Sequence, residues 1–190
     1  KMRLGNRCDG PALDCARALD EAGADELVVH ARTRVQGYRP PAYWERVQEL
    51  RAAVRLPVIA NGEIWTVQDA WRCREITGCD TLMIGRGLVR NPGLALAIAS
   101  ADRVARGAPA GAQGIGWDDL LPLIGDFWRQ IATRGEPRHR CGRLKQWLNY
   151  LRGHYPEAEQ AFAELRLSND PASASRWLTA QRAPMPEALA

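Results

Sequence analysis

The strongest constraint on this chain is a recurrence in its first hundred residues. At intervals of roughly 23 to 31 residues, a short β-rich run gives way to a polar or glycine turn and then to a helical stretch. The β-rich runs are 1–4, 26–30, 57–60 and 81–84, with Gly23 punctuating the second and Gly78 the fourth. The helical stretches are 10–22, 42–54 and 66–77. In the first, Leu13, Ala16 and Leu19 keep the three-and-four spacing of a buried face. In the third, Thr66 stands as an N-cap before Val67, Ala70, Trp71 and Arg74. Connections this long are not hairpins, and apolar pairs such as Val28-Val29 and Val58-Ile59 suit strands covered on both faces. The pattern predicts an α/β fold with a parallel sheet. A doubly wound sheet and a (β/α)8 barrel both satisfy it.

The pattern stops near residue 105. Residues 106–116 read RGAPAGAQGIG, a linker with no hydrophobic period. Beyond it the β signal disappears, and helical runs at 117–133, 142–152, 157–166 and 171–182 are separated by Gly-Glu-Pro, His-Tyr-Pro and Asn-Asp-Pro. The expected organisation is therefore an α/β domain at 1–105, a linker at 106–116, an all-α bundle at 117–182 and a frayed tail at 183–190.

Composition narrows the class. The longest aliphatic run, 94–99, falls far short of the ~20 residues of a membrane helix, and no apolar block follows the opening residues as in a secretory signal. Five cysteines with no Cys-x-x-Cys pair argue against a zinc ribbon or a disulfide framework, so no metal is expected and a reducing cytoplasm fits best. The formal charge is only +4, but between Arg129 and Arg152 seven basic residues face one acid, Glu136. Such a stretch can neutralise nucleic-acid phosphates. Within it Leu144, Trp147, Leu148 and Leu151 form an apolar stripe, with Arg143 on one flank and Lys145 and Arg152 on the other. Trp147 reads as core rather than as a platform for a base.

Ligands of parallel α/β folds gather at the carboxyl ends of strands. Here those ends carry His30 with Ala31-Arg32-Thr33-Arg34, then Asn61-Gly62-Glu63-Ile64, then Gly85-Arg86-Gly87. Gly62 and Gly85 permit close backbone approach, Arg86 adds a fixed charge, and the two turns together suit a phosphate. Each also has a plainer reading: a simple Asn-Gly turn, a helix entry with a solvated arginine, a core histidine. Lys1, ahead of Met2-Arg3-Leu4, would point into the sheet's mouth, where a buried ammonium needs a partner.

The blocks KMRLG, ELVVHARTRVQGY, PVIANGEIW, CDTLMIGRG and RLKQWLNYLR, in this order and spacing, resemble the tRNA-dihydrouridine synthases, above all the subfamily acting on uridine 16. The resemblance implies the C-terminal half of a TIM (β/α)8 barrel followed by a helical tRNA-binding domain. It also implies FMN as cofactor and NADPH as reductant of the uracil C5–C6 double bond. Carried over by motif, Lys1 and His30 would lie against the flavin. Asn61, Gly62 and Glu63 would hold its ribityl and phosphate portion, and Gly85 and Arg86 the phosphate. Tyr38, Arg143, Lys145 and Arg166 would contact tRNA. The family's proton-donor cysteine belongs to a context that none of Cys8, Cys15, Cys73, Cys79 and Cys141 matches, so it is expected upstream, with this chain inactive alone. The whole protein is expected to be monomeric. A half-barrel with open edges at 1–4 and 81–84 would self-associate. Two other readings remain: an FMN-dependent barrel oxidoreductase acting on a small molecule, and a non-catalytic RNA-binding fragment.

Overall fold

The computed structural model describes residues 1–182. The tail expected at 183–190 lies outside them. The described residues divide into two compact units, one of 1–88 with 92–113 and one of 89–91 with 114–182.

The first unit strings β1 (Met2–Gly5), α1 (Ala12–Glu21), β2 (Leu27–Thr33), α2 (Trp44–Ala52), β3 (Val58–Asn61), α3 (Val67–Thr77), β4 (Leu82–Met83), the short α4 (Arg86–Arg90) and α5 (Leu94–Ala105). The four strands form one parallel sheet in the order β1-β2-β3-β4, so β1 and β4 are its edges among the described residues. Most element ends fall within two residues of expectation, and two strands depart from it in length. β4 holds only two residues, and β2 runs three residues past His30, with all seven of its residues buried. Partner positions show why β2 is long. Between Arg3↔His30 and Gly5↔Thr33 it advances one residue more than β1, an irregularity of the β-bulge kind.

Thr66 caps α3 as expected. Its Oγ1 accepts from Asp69 N at 3.0 Å, Asp69 Oδ2 accepts from Thr66 N at 3.0 Å, and Gly78 ends the helix at φ 67°. The buried face of α3 is Ala70, Cys73 and Thr77. Trp71 and Arg74 lie outside that face. Asp102 of α5 explains it, accepting from Trp71 Nε1 at 2.9 Å and from Arg74 Nη1 at 2.8 Å. The core joins Leu4, Ala16, Leu27, Val29, Val47, Ala60, Ile64 and Leu94.

The second unit is helical: α6 (Trp117–Arg134), a 3-10 turn (Pro137–His139), α7 (Arg140–Leu151), α8 (Pro156–Leu165) and α9 (Pro171–Arg182). Leu120, Ile124, Trp128, Leu144, Leu148, Leu151, Tyr155 and Trp177 fill its core. Trp147, expected in the core, is half-buried against it, packed edge-on to Phe127 with centroids 4.8 Å apart. Its indole donates to Val89 O at 3.1 Å, and Arg90 Nε donates to Gly153 O at 3.0 Å, which is why residues 89–91 belong with this unit. No helix among the described residues is long and apolar enough to cross a membrane, and no group of metal-ligating side chains forms there.

Candidate functional site

Parallel register turns four separate sequence blocks into one row. Arg3 pairs with His30, His30 with Asn61, and Asn61 with Met83, so these residues stand side by side across all four strands. Side chains two residues apart share a strand face. Lys1 lies two residues before Arg3, Arg32 two after His30, Glu63 two after Asn61 and Gly85 two after Met83. All line one cavity of about 630 Å³, together with Tyr38, Trp65 and Arg86. The cavity thus brings together every residue expected at the cofactor, and Tyr38 with them.

The details correct several expectations. Lys1 is exposed rather than buried, because β1 starts at Met2, and its Nζ donates to Met83 Sδ at 2.9 Å. His30 lies inside β2 rather than at its exit, and is 7% exposed. Arg86 is not a free cation. Its Nη2 donates to Glu63 Oε1 at 3.0 Å and to Tyr38 O at 3.1 Å, while its guanidinium sits 5.2 Å from the Tyr38 ring centroid and 5.0 Å from that of Trp65. Arg3 flanks Tyr38 as well, at 5.3 Å, and ties down its loop through Thr33 O and Gly37 O, both at 3.3 Å. Tyr38 is 62% exposed, an aromatic surface held between two arginines.

Glu63 is the hub. It has a left-handed backbone, φ 53°, following Gly62 at φ 128°, and this sharp turn aims its carboxylate back at the sheet. Oε1 accepts from Arg32 at 2.5 Å and from Arg86 at 3.0 Å, and Oε2 from Trp65 Nε1 at 2.9 Å. Burial pushes this carboxyl up, but the bonds from Arg32 and Trp65 and the charges of Arg32 and Arg86 outweigh it and hold the pKa below its ordinary value. Four cations, Lys1, Arg3, Arg32 and Arg86, face this one carboxylate around the cavity.

His30 responds to the same cations. Burial first, then the charges of Arg3, Arg32, Lys1 and Arg86, lower its pKa from 6.5 to about 4, so it is neutral at pH 7. Because the unfolded chain binds the proton more readily, this stability is present above pH 6.5 and is lost as pH falls towards 4. The expected loss is about 3 kcal/mol at most across that window. Urea denaturation of wild type and His30→Gln from pH 7.5 to 4.5 checks it. The variant should lack this component of the fall.

Strand alternation carries the signal for Arg3 and Arg32, which sequence reasoning did not select. It was hidden because β2 was expected to end at His30, which put Arg32 in a turn. Nothing in the sequence marks Trp65.

None of the five cysteines lines the cavity. Cys73, Cys79 and Cys141 are buried, Cys8 and Cys15 are exposed, and burial pushes the Cys73 thiol up to about 12.

In the helical unit, Arg143 and Arg166 are exposed, and neither guanidinium has a partner among the described residues. Lys145 differs. Its Nζ donates to Arg166 O, Ser168 O and Asn169 Oδ1 at 3.3, 3.2 and 2.9 Å, closing the carbonyl end of α8. The basic stretch is also less cationic than its sequence window. Asp126 pairs with Arg129 and Glu159 with Arg152, both acids coming from outside 129–152, while Glu136 takes Arg138. Arg134 and Arg143 form no ion pair among the described residues and border one shallow groove with His139.

Comparison with known proteins identifies relatives of this arrangement. Residues 1–112 match the family model described as dihydrouridine synthase. The chain is 53% identical over 178 residues to the tRNA-dihydrouridine(16) synthase of Pseudomonas putida, covering 94% of this chain and 54% of that protein. It is 52% identical over 170 residues to the one from Aquipseudomonas alcaligenes, covering 90% and 52%. It is 36% identical over 181 residues to the one from Escherichia coli O157:H7, covering 95% and 54%. The chain spans about half the length of the curated relatives it matches.

Proposed function

This chain belongs to the dihydrouridine synthase family, and from that premise we propose that the whole protein reduces the C5–C6 double bond of a uridine in tRNA, position 16 in the D-loop. The observation that carries the proposal is the single cavity shared by Lys1, His30, Asn61, Gly62, Glu63, Gly85 and Arg86. Strand order supports a barrel for its frame. Four consecutive strands adjacent in sequence order suit an arc of a (β/α)8 barrel, whereas the common doubly wound orders, 3-2-1-4-5-6 and 2-1-3-4-5, contain no such run of four. We take the sheet to be the C-terminal half of that barrel.

The cavity residues fit FMN. An excess of cations suits a phosphate ester, and the Gly62 backbone passes so close to His30 that an added Cβ would sit 3.3 Å from its ring. Open space stands over Gly85, and a buried guanidinium nitrogen of Arg32 lacks an acceptor. Lys1 and His30 would hold the flavin ring, Asn61, Gly62 and Glu63 the ribityl chain, and Gly85 and Arg86 the phosphate. The chemistry that FMN supplies when bound is two-electron transfer from NADPH to the uracil ring. Lys1 would offset negative charge on the flavin ring it holds. Neutral His30 offers one donor and one acceptor without adding a further cation. Tyr38, clamped by Arg3 and Arg86, presents a face on which an unstacked base can lie. Protonation at C5 falls to a group other than the five cysteines, since none reaches the cavity.

In the helical unit Arg143 and Arg166 are the side chains best placed to meet tRNA phosphates. Lys145 contributes less, because its ammonium already serves three acceptors. The test is made on the whole protein. Purification should give bound FMN, and NADPH with unmodified tRNA should give dihydrouridine. A colourless protein that forms none overturns the proposal. Alanine at Arg143 or Arg166 should weaken tRNA binding and reduce the slope of log affinity against log salt by about 1 each. A flat wild-type plot would favour a small-molecule substrate.

A further inference from the structure

We infer that Trp65 positions Arg86 for a flavin phosphate and thereby sets the preference of the site for FMN over unphosphorylated riboflavin. This rests on the flavin reading above and adds a residue to it. Trp65 is half-buried on the cavity wall, yet it is not among the hydrophobic side chains packed against the core of its unit. A large aromatic outside the core acts through its polar tip and its ring face. Both are engaged here by residues placed at the cofactor. The indole Nε1 donates to Glu63 Oε2 at 2.9 Å, and the Arg86 guanidinium lies 5.0 Å from the ring centroid.

The start of α3 fixes Trp65 itself. Its backbone N–H donates to Asp69 Oδ2 at 3.0 Å, the same oxygen that accepts from Thr66 N in the helix cap. By taking Oε2 of Glu63, the indole leaves Oε1 to accept from Arg32 at 2.5 Å and from Arg86 at 3.0 Å. Arg86 rests against a second ring as well, that of Tyr38 at 5.2 Å, and one nitrogen, Nη2, serves both Glu63 Oε1 and Tyr38 O. Its Nε and Nη1 have no hydrogen-bond partner among the described residues, and its side chain is 33% exposed at the cavity wall. A long, flexible arginine already held by its neighbours, with donors still free, loses little freedom when a phosphate arrives. Without the Trp65 ring that freedom returns and must be lost again on binding. Trp65 makes no hydrogen bond or ring contact with Lys1 or His30 among the described residues. Its loss should therefore fall on the phosphate and spare the flavin ring.

The test measures FMN and riboflavin binding, by flavin fluorescence quenching, to the whole protein stripped of flavin. Wild type should bind FMN at least about tenfold more tightly than riboflavin, since only FMN brings a phosphate to Arg86. In Trp65→Leu this preference should fall at least about fivefold. Trp65→Phe keeps a ring against Arg86 and should retain a preference at least about twofold above that of Trp65→Leu. Wild type without the preference, or a smaller fall in Trp65→Leu because both flavins weaken together, overturns the positioning role while FMN binding itself stands. Equal loss in the two variants overturns it as well. Failure of wild type to bind FMN overturns the functional reading and this inference with it. Should Trp65→Leu not fold, a crystal structure of the flavin-loaded wild type decides. A phosphate oxygen within about 3.2 Å of an Arg86 nitrogen, with the Trp65 ring still within about 6 Å of that guanidinium, supports the assignment. Any other arrangement overturns it.

Discussion

Glu63→Ala is expected to destabilise the protein by about 3–5 kcal/mol, read as a shift in the urea midpoint with the slope unchanged. The loss comes less from the carboxylate than from what it leaves behind. Arg32 is wholly buried, and Glu63 is its only anionic partner among the described residues. Removing the acceptor strands a charge where water cannot reach it, whereas an exposed ion pair of the same geometry would matter by about 1 kcal/mol at most. Arg86 is less affected, because it is partly exposed and keeps Tyr38 O and two aromatic rings. The backbone adds no relief, since alanine at φ 53° is as strained as glutamate. Two controls isolate the cause. Adding Arg32→Met to Glu63→Ala should recover a large share of the loss, because the stranded charge goes with it. Acid should imitate the substitution in wild type. The Glu63 pKa is held below its ordinary 4.5, so its stabilisation is present above that value and disappears as pH falls through the lower folded one. A double variant no more stable than Glu63→Ala would show that packing, not charge, sets the cost.

Much of this site was legible in the sequence, because parallel strands end at the face where ligands collect. Marking the residues after each β-rich run was enough to gather His30, Asn61, Gly62, Glu63, Gly85 and Arg86 before any register was known. The register itself was not legible. It depends on the irregularity between β1 and β2, which lengthens β2 past His30 and turns Arg32 from a loop residue into a buried one. Long-range partners were not legible either: Trp71 of α3 donates to Asp102, 31 residues away. In the helical unit the apolar stripe of α7 was readable from spacing alone, and Leu144, Leu148 and Leu151 are buried. The state of the cations beside it was not. Asp126 and Glu159 neutralise Arg129 and Arg152 from outside the basic stretch, and Lys145 is drawn to carbonyls that only the α7–α8 packing brings near.

The two glycines of Gly85-Arg86-Gly87 should separate stability from binding. They read alike in sequence, as flexible residues flanking an arginine, but their surroundings are opposite. A Cβ built on Gly87 would overlap the Ile64 carbonyl oxygen and lie 3.1 Å from both Ile84 Cγ2 and Leu94 Cδ2. The clash is with backbone, so no rotamer change relieves it. Gly87→Ala must push α4 off the turn that follows β3, and a loss of about 3 kcal/mol or more is expected, at the upper end for overpacked sites. The same displacement carries Arg86 away from Glu63, since α4 begins at Arg86 and the bare Gly87 backbone is what lets the helix start so close to that turn. Gly85 has nothing within 4 Å of its would-be Cβ, so Gly85→Ala should change stability by less than about 1 kcal/mol. Its methyl group would occupy open space at the cavity wall, where we place the flavin phosphate, and FMN affinity should fall about tenfold. Urea denaturation of the flavin-free variants and flavin titration give the two readings independently. Equal stability losses at both positions would deny the close approach of α4 to β3. Unchanged FMN affinity in Gly85→Ala would move the phosphate away from this turn.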